Sequence, residues 1–303
     1  MSTKARISVV GAGLMGHGIA QVFALAGHEV TITDSQKPAL DGAKARIAAN
    51  LRDLGDDERA VERVRSVTDL GECVREADFV VEAVLEDMPL KQKIFGEIEK
   101  HVRADTILAS NTSVMPITEI MGGLRRRERA LGTHWWNPPF LVPLVEVIGT
   151  QWTSQQAIDF TMKLHADAGK TPAHVKKDVP GFIGNRLQHA LWREAISLVE
   201  RGICDAQTVD AVIKAAFGRR LAVLGPLENA DLVGTDLTLA IHKTVLPDIE
   251  ARPGPSPYLE KLVADGKLGF KSGEGFRRWT PEQQAALRAK VVQHLKKARA
   301  DDA

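Results

Sequence analysis

The chain has 303 residues, enough for two domains and an ample buried core. Its formal net charge is +1, so nothing global recommends nucleic acid or an anionic membrane as a partner. No apolar run is long enough to span a bilayer, and Cys73 and Cys204 fit no metal motif, so we expect no metal site and a reducing, cytoplasmic setting.

The first strand is expected from about Ala5, which leaves no room for a targeting peptide. It reads Ile7-Ser8-Val9-Val10 and runs into Gly11-Ala12-Gly13-Leu14-Met15-Gly16. An amphipathic segment follows from Ile19 to Ala26, then a second strand, Val30 to Thr33, ending at Asp34. A bare GxGxxG says little. Strand, glycine turn, helix, strand and acid in this order form a dinucleotide fingerprint. Gly11 allows the tight turn, Gly13 lets backbone approach a pyrophosphate, and Gly16 lets the helix pack on the strand. Leu14 and Met15 lie between these glycines, at the helix start whose free N–H groups and positive dipole end suit phosphates. Asp34 is suited to accept hydrogen bonds from both adenosine ribose hydroxyls and to repel a 2′-phosphate, so NAD is expected over NADP. Lys37 alone pulls the other way.

Residues 38–54 carry helical spacing, with Leu40, Ala43, Ile47, Leu51 and Leu54 on one face. A charged link, Asp56-Asp57-Glu58-Arg59, leads to a short strand near Val67 and a helix over 69–76. Asp78 to Val84 reads as a buried strand, 90–101 as a helix and 106–109 as a strand. Further strands are expected at 131–134, 144–148 and 173–176, with a helix over 154–168 before the last. Strands alternating with helices predict a Rossmann-type, doubly wound parallel α/β sheet over 1–179.

After Asp178-Val179-Pro180-Gly181 the character changes. From Phe182 onward the periodicity is helical, with Leu187, Leu191, Ala195 and Leu198 on one face, and Asp205 is suited to cap the next helix. Gly218, Gly225-Pro226 and Pro253 to Pro257 punctuate further helices, and Thr280-Pro281-Glu282-Gln283 caps a polar one. Residues 180–303 are therefore expected to form an all-helical second domain.

The fingerprint is joined by Ser110-Asn111-Thr112-Ser113, His134-Trp135-Trp136-Asn137-Pro138-Pro139 and Leu144-Val145-Glu146-Val147-Ile148. Asp178 to Arg186, Gly225-Pro226-Leu227-Glu228 and Lys271 to Phe276 follow. With these motifs in order, almost the whole chain resembles the 3-hydroxyacyl-CoA dehydrogenase superfamily. The resemblance implies a His–Glu acid–base pair at His134 and Glu146. Imidazole titrates near neutrality and can take or return an alcohol proton, while a carboxylate on its other nitrogen fixes the tautomer. A lone histidine is more often a satisfied core residue; the surrounding motif favours catalysis. The resemblance gives Ser113 and Asn185 supporting roles as donors to the substrate oxygen, although Ser and Asn commonly serve as local caps. It also implies that Glu86, Lys91, Asn111, Asn137 and Lys271 lie near the cofactor, that the helical domain over 180–303 serves substrate binding and dimerisation, and that the protein is a homodimer.

The chain also departs from the acyl-CoA members of the family. Where those carry a longer, lysine-rich excursion that holds CoA, it has the short acidic stretch Leu54-Gly55-Asp56-Asp57-Glu58, unfavourable to a polyanion by Coulomb repulsion. Asn137-Pro138-Pro139, the 175–181 segment and Ala222-Val223-Leu224-Gly225-Pro226 resemble a branch that includes lambda-crystallin-type gulonate dehydrogenases and a dehydrogenase of pyridine-ring breakdown. That branch acts on small free acids. Trp135-Trp136 is expected to narrow the pocket beside His134, and Arg219-Arg220 to be available for a substrate carboxylate. The leading expectation is an NAD-dependent dehydrogenase of a small hydroxy acid or related alcohol; the alternative is a short-chain 3-hydroxyacyl-CoA (3-hydroxybutyryl-CoA) dehydrogenase.

Overall fold

The computed structural model describes residues 4–301. Eight strands form one sheet: β1 (Arg6–Val10), β2 (Glu29–Thr33), β3 (Val64–Ser66), β4 (Phe79–Glu82), β5 (Ile107–Ser110), β6 (Ala130–Trp135), β7 (Leu144–Gly149) and β8 (Thr171–Val175). Their order is β3-β2-β1-β4-β5-β6-β7-β8. The chain reverses direction across the sheet between β1 and β4, which opens a crevice at the carboxyl ends of those strands. The helices of this part are α1 (Leu14–Leu25), α2 (Lys37–Asp41), α3 (Ala43–Leu54), α4 (Leu70–Val74), α5 (Met88–His101), α6 (Ile117–Met121) and α7 (Gln155–Asp167).

Side chains alternate across the sheet, so both faces are covered. Val9 and Val81 join Phe23, Ile47 and Phe79 in the core on one face. Val10 and Val80 join Phe95, Leu108 and Ile117 in the core on the other. The 38–54 helix is two helices meeting at Gly42, and the strand expected near Val67 lies three residues earlier. The short helix α6 carried no recognised signal.

The sheet is parallel from β3 to β6, but β7 runs antiparallel to β6. This corrects the expectation of a wholly parallel sheet. The 136–143 connection contains no helix, and a parallel return needs a longer crossover. The hairpin register sets His134 directly opposite Glu146. Strand β8 then pairs parallel with β7 after α7.

No strand follows β8 among the described residues. The remaining helices are α8 (Gly184–Glu200), α9 (Ala206–Ala215), α10 (Pro226–Val233), α11 (Thr235–Val245), α12 (Pro257–Ala264) and α13 (Pro281–Asp301). Asp205 does cap α9, accepting from the Thr208 amide at 2.7 Å. The chain divides into two compact units. One runs to Arg186 and takes in the chain from Gln293 onward; the other is Leu187–Val292. Residues 180–186 pack with the first unit, where the Ile183 and Gly184 amides bind Glu146 of β7. Lys296 and Arg299 of α13 reach Asp53 and Asp56 at 2.7 and 2.8 Å, which returns the last turns to the first unit.

His165 of α7 is fully buried against Phe23 and Trp135, with its Nδ1 on the Thr161 carbonyl at 2.7 Å and its Nε2 without a partner. Burial pushes its pKa from 6.5 down to about 4, so the folded protein keeps it neutral. The unfolded chain binds this proton at higher pH, so the contribution of His165 is complete above about 6.5 and is lost as pH falls toward 4. The shift corresponds to about 3 kcal/mol. Urea melts at pH 7, 5.5 and 4.5 should therefore show a steeper loss for the wild type than for His165→Met. Parallel losses would remove His165 as the source.

Candidate active site

The glycine turn leaves β1 with Gly11 at φ +107°, its amide donating to the Thr33 carbonyl at 2.8 Å. A Cβ on Gly11 would lie 2.5 Å from the Ala83 carbonyl oxygen, and one on Gly16 only 1.7 Å from that of Gly11, so both must be glycine. A Cβ on Gly13 would meet nothing within 4 Å. That open side is where a phosphate can approach the backbone. Helix α1 starts at Leu14 with no acid in its first turn, so its N-terminal dipole is not already neutralised. Leu14 is exposed, while Met15 packs against the core.

Asp34 follows β2. Its carboxylate accepts from the Ala12 amide at 2.6 Å and the Gln36 amide at 2.7 Å. Both oxygens are thereby fixed beside the glycine turn, and each keeps a lone pair for a ribose hydroxyl. Lys37 turns to Asp41 at 2.6 Å. An open cradle, an unopposed helix start and an oriented carboxylate fit NAD.

Beyond β4 lies a charged network in which the sequence pointed to Glu86 and Lys91 but not to Glu82. Glu82, fully buried, holds Lys91 at 2.7 Å, the Ser110 hydroxyl at 2.7 Å and the Val84 amide at 2.7 Å. Lys91 is also buried and lies 3.4 Å from Glu86. Glu86 accepts from the Thr112 hydroxyl at 3.1 Å and from the Ser113 amide. Lys91 therefore braces Glu86, which is the exposed member. The available signal was an acid inside the apolar run Phe79 to Val84, since a buried charge needs a partner.

At the end of β6, His134 is 3% exposed, and its Nδ1 lies 2.7 Å from Glu146 Oε2. Glu146 Oε1 accepts the amides of Ile183 at 2.8 Å and Gly184 at 3.0 Å. Burial would raise the Glu146 pKa, but the hydrogen bonds from His134 and these amides outweigh it and hold the carboxyl below its ordinary value. An ionised Glu146 requires Nδ1 to carry the hydrogen, which leaves Nε2 as the free base. Phe182, at φ +50°, makes the turn that presents both amides, and its ring lies 5.6 Å from the imidazole. Trp136 lies 5.2 Å from the imidazole, and a Cβ on Gly184 would be 2.5 Å from the Trp136 ring. Asn185 donates to the Ser113 carbonyl at 2.8 Å, bringing Ser113 into the same cluster with its hydroxyl free. Asn111 is a bracket, accepting from the Trp135 amide at 3.0 Å. Asn137 is exposed just beyond His134.

Two expectations change. Trp135 points to the other side of its strand and is buried against Phe23, so only Trp136 adjoins His134. The acidic stretch is internally neutralised: Asp56 pairs with Arg299, Asp57 with Arg59 and Glu58 with Arg52. It therefore presents no unopposed negative surface. Lys271, Arg219 and Arg220 belong to the second unit. Lys271 lines a cavity of about 620 Å³ there, and Arg219 and Arg220 are exposed.

A glycine turn suited to a dinucleotide and a buried imidazole–carboxylate pair meet the two needs of alcohol oxidation, an acceptor for hydride and a base for the proton. Comparison with known proteins points the same way. Residues 6–179 match the 3-hydroxyacyl-CoA dehydrogenase NAD binding domain, and residues 181–279 match the 3-hydroxyacyl-CoA dehydrogenase C-terminal domain. The 5-formyl-3-hydroxy-2-methylpyridine 4-carboxylate 5-dehydrogenase of Mesorhizobium japonicum is 35% identical over 294 residues, 95% of each chain. Human mitochondrial hydroxyacyl-coenzyme A dehydrogenase is 38% identical, over 90% of each. A crystal structure of a 5-formyl-3-hydroxy-2-methylpyridine 4-carboxylic acid 5-dehydrogenase, described as an NAD+ dependent dismutase, matches with TM-score 0.91 at 34% identity over 98% of both chains. That of (S)-3-hydroxybutyryl-CoA dehydrogenase from Ralstonia eutropha matches with TM-score 0.77 at 32% identity, over 92% of this chain and 100% of that one.

The chain belongs to the 3-hydroxyacyl-CoA dehydrogenase family. It is an NAD-dependent oxidoreductase acting on CH–OH groups. No helix among the described residues is long and apolar enough to cross a membrane.

The fixed carboxylate of Asp34 sets the cofactor prediction. Asp34→Ala should raise KM for NAD roughly tenfold or more, the scale of a lost charged hydrogen bond, and bring NADP closer to NAD. Steady-state kinetics with both cofactors check this; a wild-type enzyme with equal kcat/KM for the two would overturn it.

Proposed function

We propose that the enzyme transfers hydride between NAD and a small hydroxy acid or related alcohol, with His134 as acid–base group. The supporting observation is the buried His134–Glu146 pair with its free Nε2. Nε2 takes the hydroxyl proton as the alcohol is oxidised and returns it in the reverse direction. Glu146 stabilises the imidazolium and holds the ring in the productive tautomer. The Ser113 hydroxyl and the second Nδ2 hydrogen of Asn185 are available to the substrate oxygen as charge develops on it. NAD, when bound, supplies the hydride acceptor.

A small, flat substrate is favoured by Trp136 and Phe182, whose rings flank His134, and by the resemblance over almost the full length to a dehydrogenase named for a pyridine carboxylate. The second reading, a 3-hydroxyacyl-CoA dehydrogenase, draws on the identity to the human enzyme and on the neutralised acidic stretch, which offers CoA no repulsion. The test compares kcat/KM for a panel of free hydroxy acids and pyridine carboxylates with that for 3-hydroxybutyryl-CoA, with free CoA as inhibitor. Free acids are expected to be the better substrates. Efficient thioester turnover with competitive inhibition by CoA would move the enzyme to the second reading. On the best substrate, His134→Gln should lower kcat by roughly a hundredfold or more without changing NAD affinity, and Glu146→Gln somewhat less.

A homodimer formed through the helical unit belongs to the same reading. Helices α9, α10 and α11 bury no residue within the chain, and Val223, Leu227 and Leu232 are more than two-thirds exposed. So much apolar surface calls for a covering partner. Light scattering at micromolar concentration should give twice the chain mass; a monomer mass would count against this. Cys73 and Cys204 are both unpaired, consistent with a reducing compartment such as the cytoplasm.

A further inference from the structure

The first unit carries two arginine side chains, Arg125 and Arg126, that neither its fold nor its active site uses. A cavity of about 520 Å³ is lined by Gly96, Arg103, Gly123, Arg125, Arg126 and Arg129, together with Glu99 and Lys100. Arg103 precedes β5 and Arg129 precedes β6. The cavity therefore lies at the amino ends of these strands, whereas the glycine turn, Asp34, Ser113 and His134 lie at the carboxyl ends. It is not part of the NAD crevice.

The charges there divide into occupied and free. Lys100 pairs with Glu97 at 2.6 Å, and Arg103 with Asp78 at 2.6 Å and Asp105 at 3.2 Å. Glu99, the one carboxylate in the lining, is occupied by backbone: it accepts the Arg125 amide at 3.0 and 3.1 Å and the Arg126 amide at 3.1 Å. The side chains of Arg125 and Arg126 are exposed and join no ion pair or side-chain hydrogen bond among the described residues. Arg129 is 5% exposed, with one nitrogen on the Arg103 and Thr106 carbonyls and its Nε without a partner. Glu99 comes no closer to it than 3.6 Å. Burial lowers the Arg129 pKa from its ordinary value, and the neighbouring Glu99 carboxylate opposes that effect without cancelling it.

The two glycines are a separate observation. Gly96 lies inside α5, where glycine weakens a helix relative to alanine. Neither Gly96 nor Gly123 has positive φ, and a Cβ on either would meet nothing within 4 Å. Neither backbone nor packing calls for glycine at these positions. Both are exposed and line the cavity, and their missing side chains leave that part of the lining open beside three cations.

We propose that this cavity binds a compact polyphosphate group, either free or as part of a nucleotide. Guanidinium forks match phosphate oxygens two at a time, and two free forks with a fixed buried cation suit a multivalent anion better than a single carboxylate. The volume is that of a nucleotide-sized site.

The test titrates the full-length protein with inorganic pyrophosphate and, separately, ATP by calorimetry. NAD is held saturating so that the glycine turn is filled. Saturable binding is expected, weakened at least tenfold in Arg125→Gln/Arg126→Gln and also in Gly96→Leu, which adds bulk to the lining without changing charge. Turnover and the KM for NAD should be unchanged in both variants. If Gly96→Leu lowers Tm substantially, Gly123→Ser serves the same purpose. Equal affinity for the two ligands would identify the phosphates alone as the recognised group; tighter ATP would add the nucleoside. Absence of saturable binding would overturn the proposal. So would loss in the arginine variant with full binding in the glycine variants, since that describes a diffuse basic surface.

Discussion

The active site depends on one buried carboxylate. Glu146 is 1% exposed, where an unpaired charge would be prohibitively costly. It is retained because three donors converge on it: the His134 imidazole and the amides of Ile183 and Gly184. Those donors come from β6 and from the turn into α8, so a single group ties two strands and a helix start together. The same bonds fix the imidazole tautomer and set the position of Asn185, the next residue along, which in turn holds the Ser113 carbonyl. Replacing the carboxylate would leave two buried amides and an imidazole hydrogen without an acceptor. A loss of activity at this position is therefore inseparable from local reorganisation unless an isosteric amide is used.

Much of this was legible in the sequence, for physical reasons that can be named. The glycine spacing and the acid after β2 describe a backbone shape that few residues permit, so the cofactor crevice could be read locally. His134 and Glu146 lie on strands joined by a short connection, and a short connection forces the antiparallel pairing that faces them. The alternation of side chains along β6 was also available, and it would have assigned only Trp136 to the histidine. Other features were not local. Asp56 meets Arg299 across 243 residues of sequence, so the acidic stretch could not be known to be neutralised until α13 was in view. The left-handed turn at Phe182 has no composition signal, because the residue that adopts it is not glycine.

The two edges of the sheet show how differently a fold uses charge. At the carboxyl edge, every buried charge of the Glu82–Lys91 network and of the His134–Glu146 pair has a partner within 2.7 Å, so the site is rigid before any ligand arrives. Preorganised polarity of this kind costs no rearrangement during reaction. At the amino edge, Glu99 shapes the loop that carries Arg125 and Arg126 but leaves their side chains free. Glu99 bonds the backbone of Arg125 and Arg126 and pairs with the buried Arg129 at 3.6 Å, which leaves the two exposed guanidiniums free. In a chain whose net charge is only +1, unneutralised arginines gathered around two unneeded glycines are a local arrangement rather than a consequence of overall composition. Strands β5 and β6 begin beside those arginines and end at Ser110 and Trp135, next to the catalytic cluster. A ligand at the amino edge would therefore sit against the same strands that carry the base, only a few residues away along each.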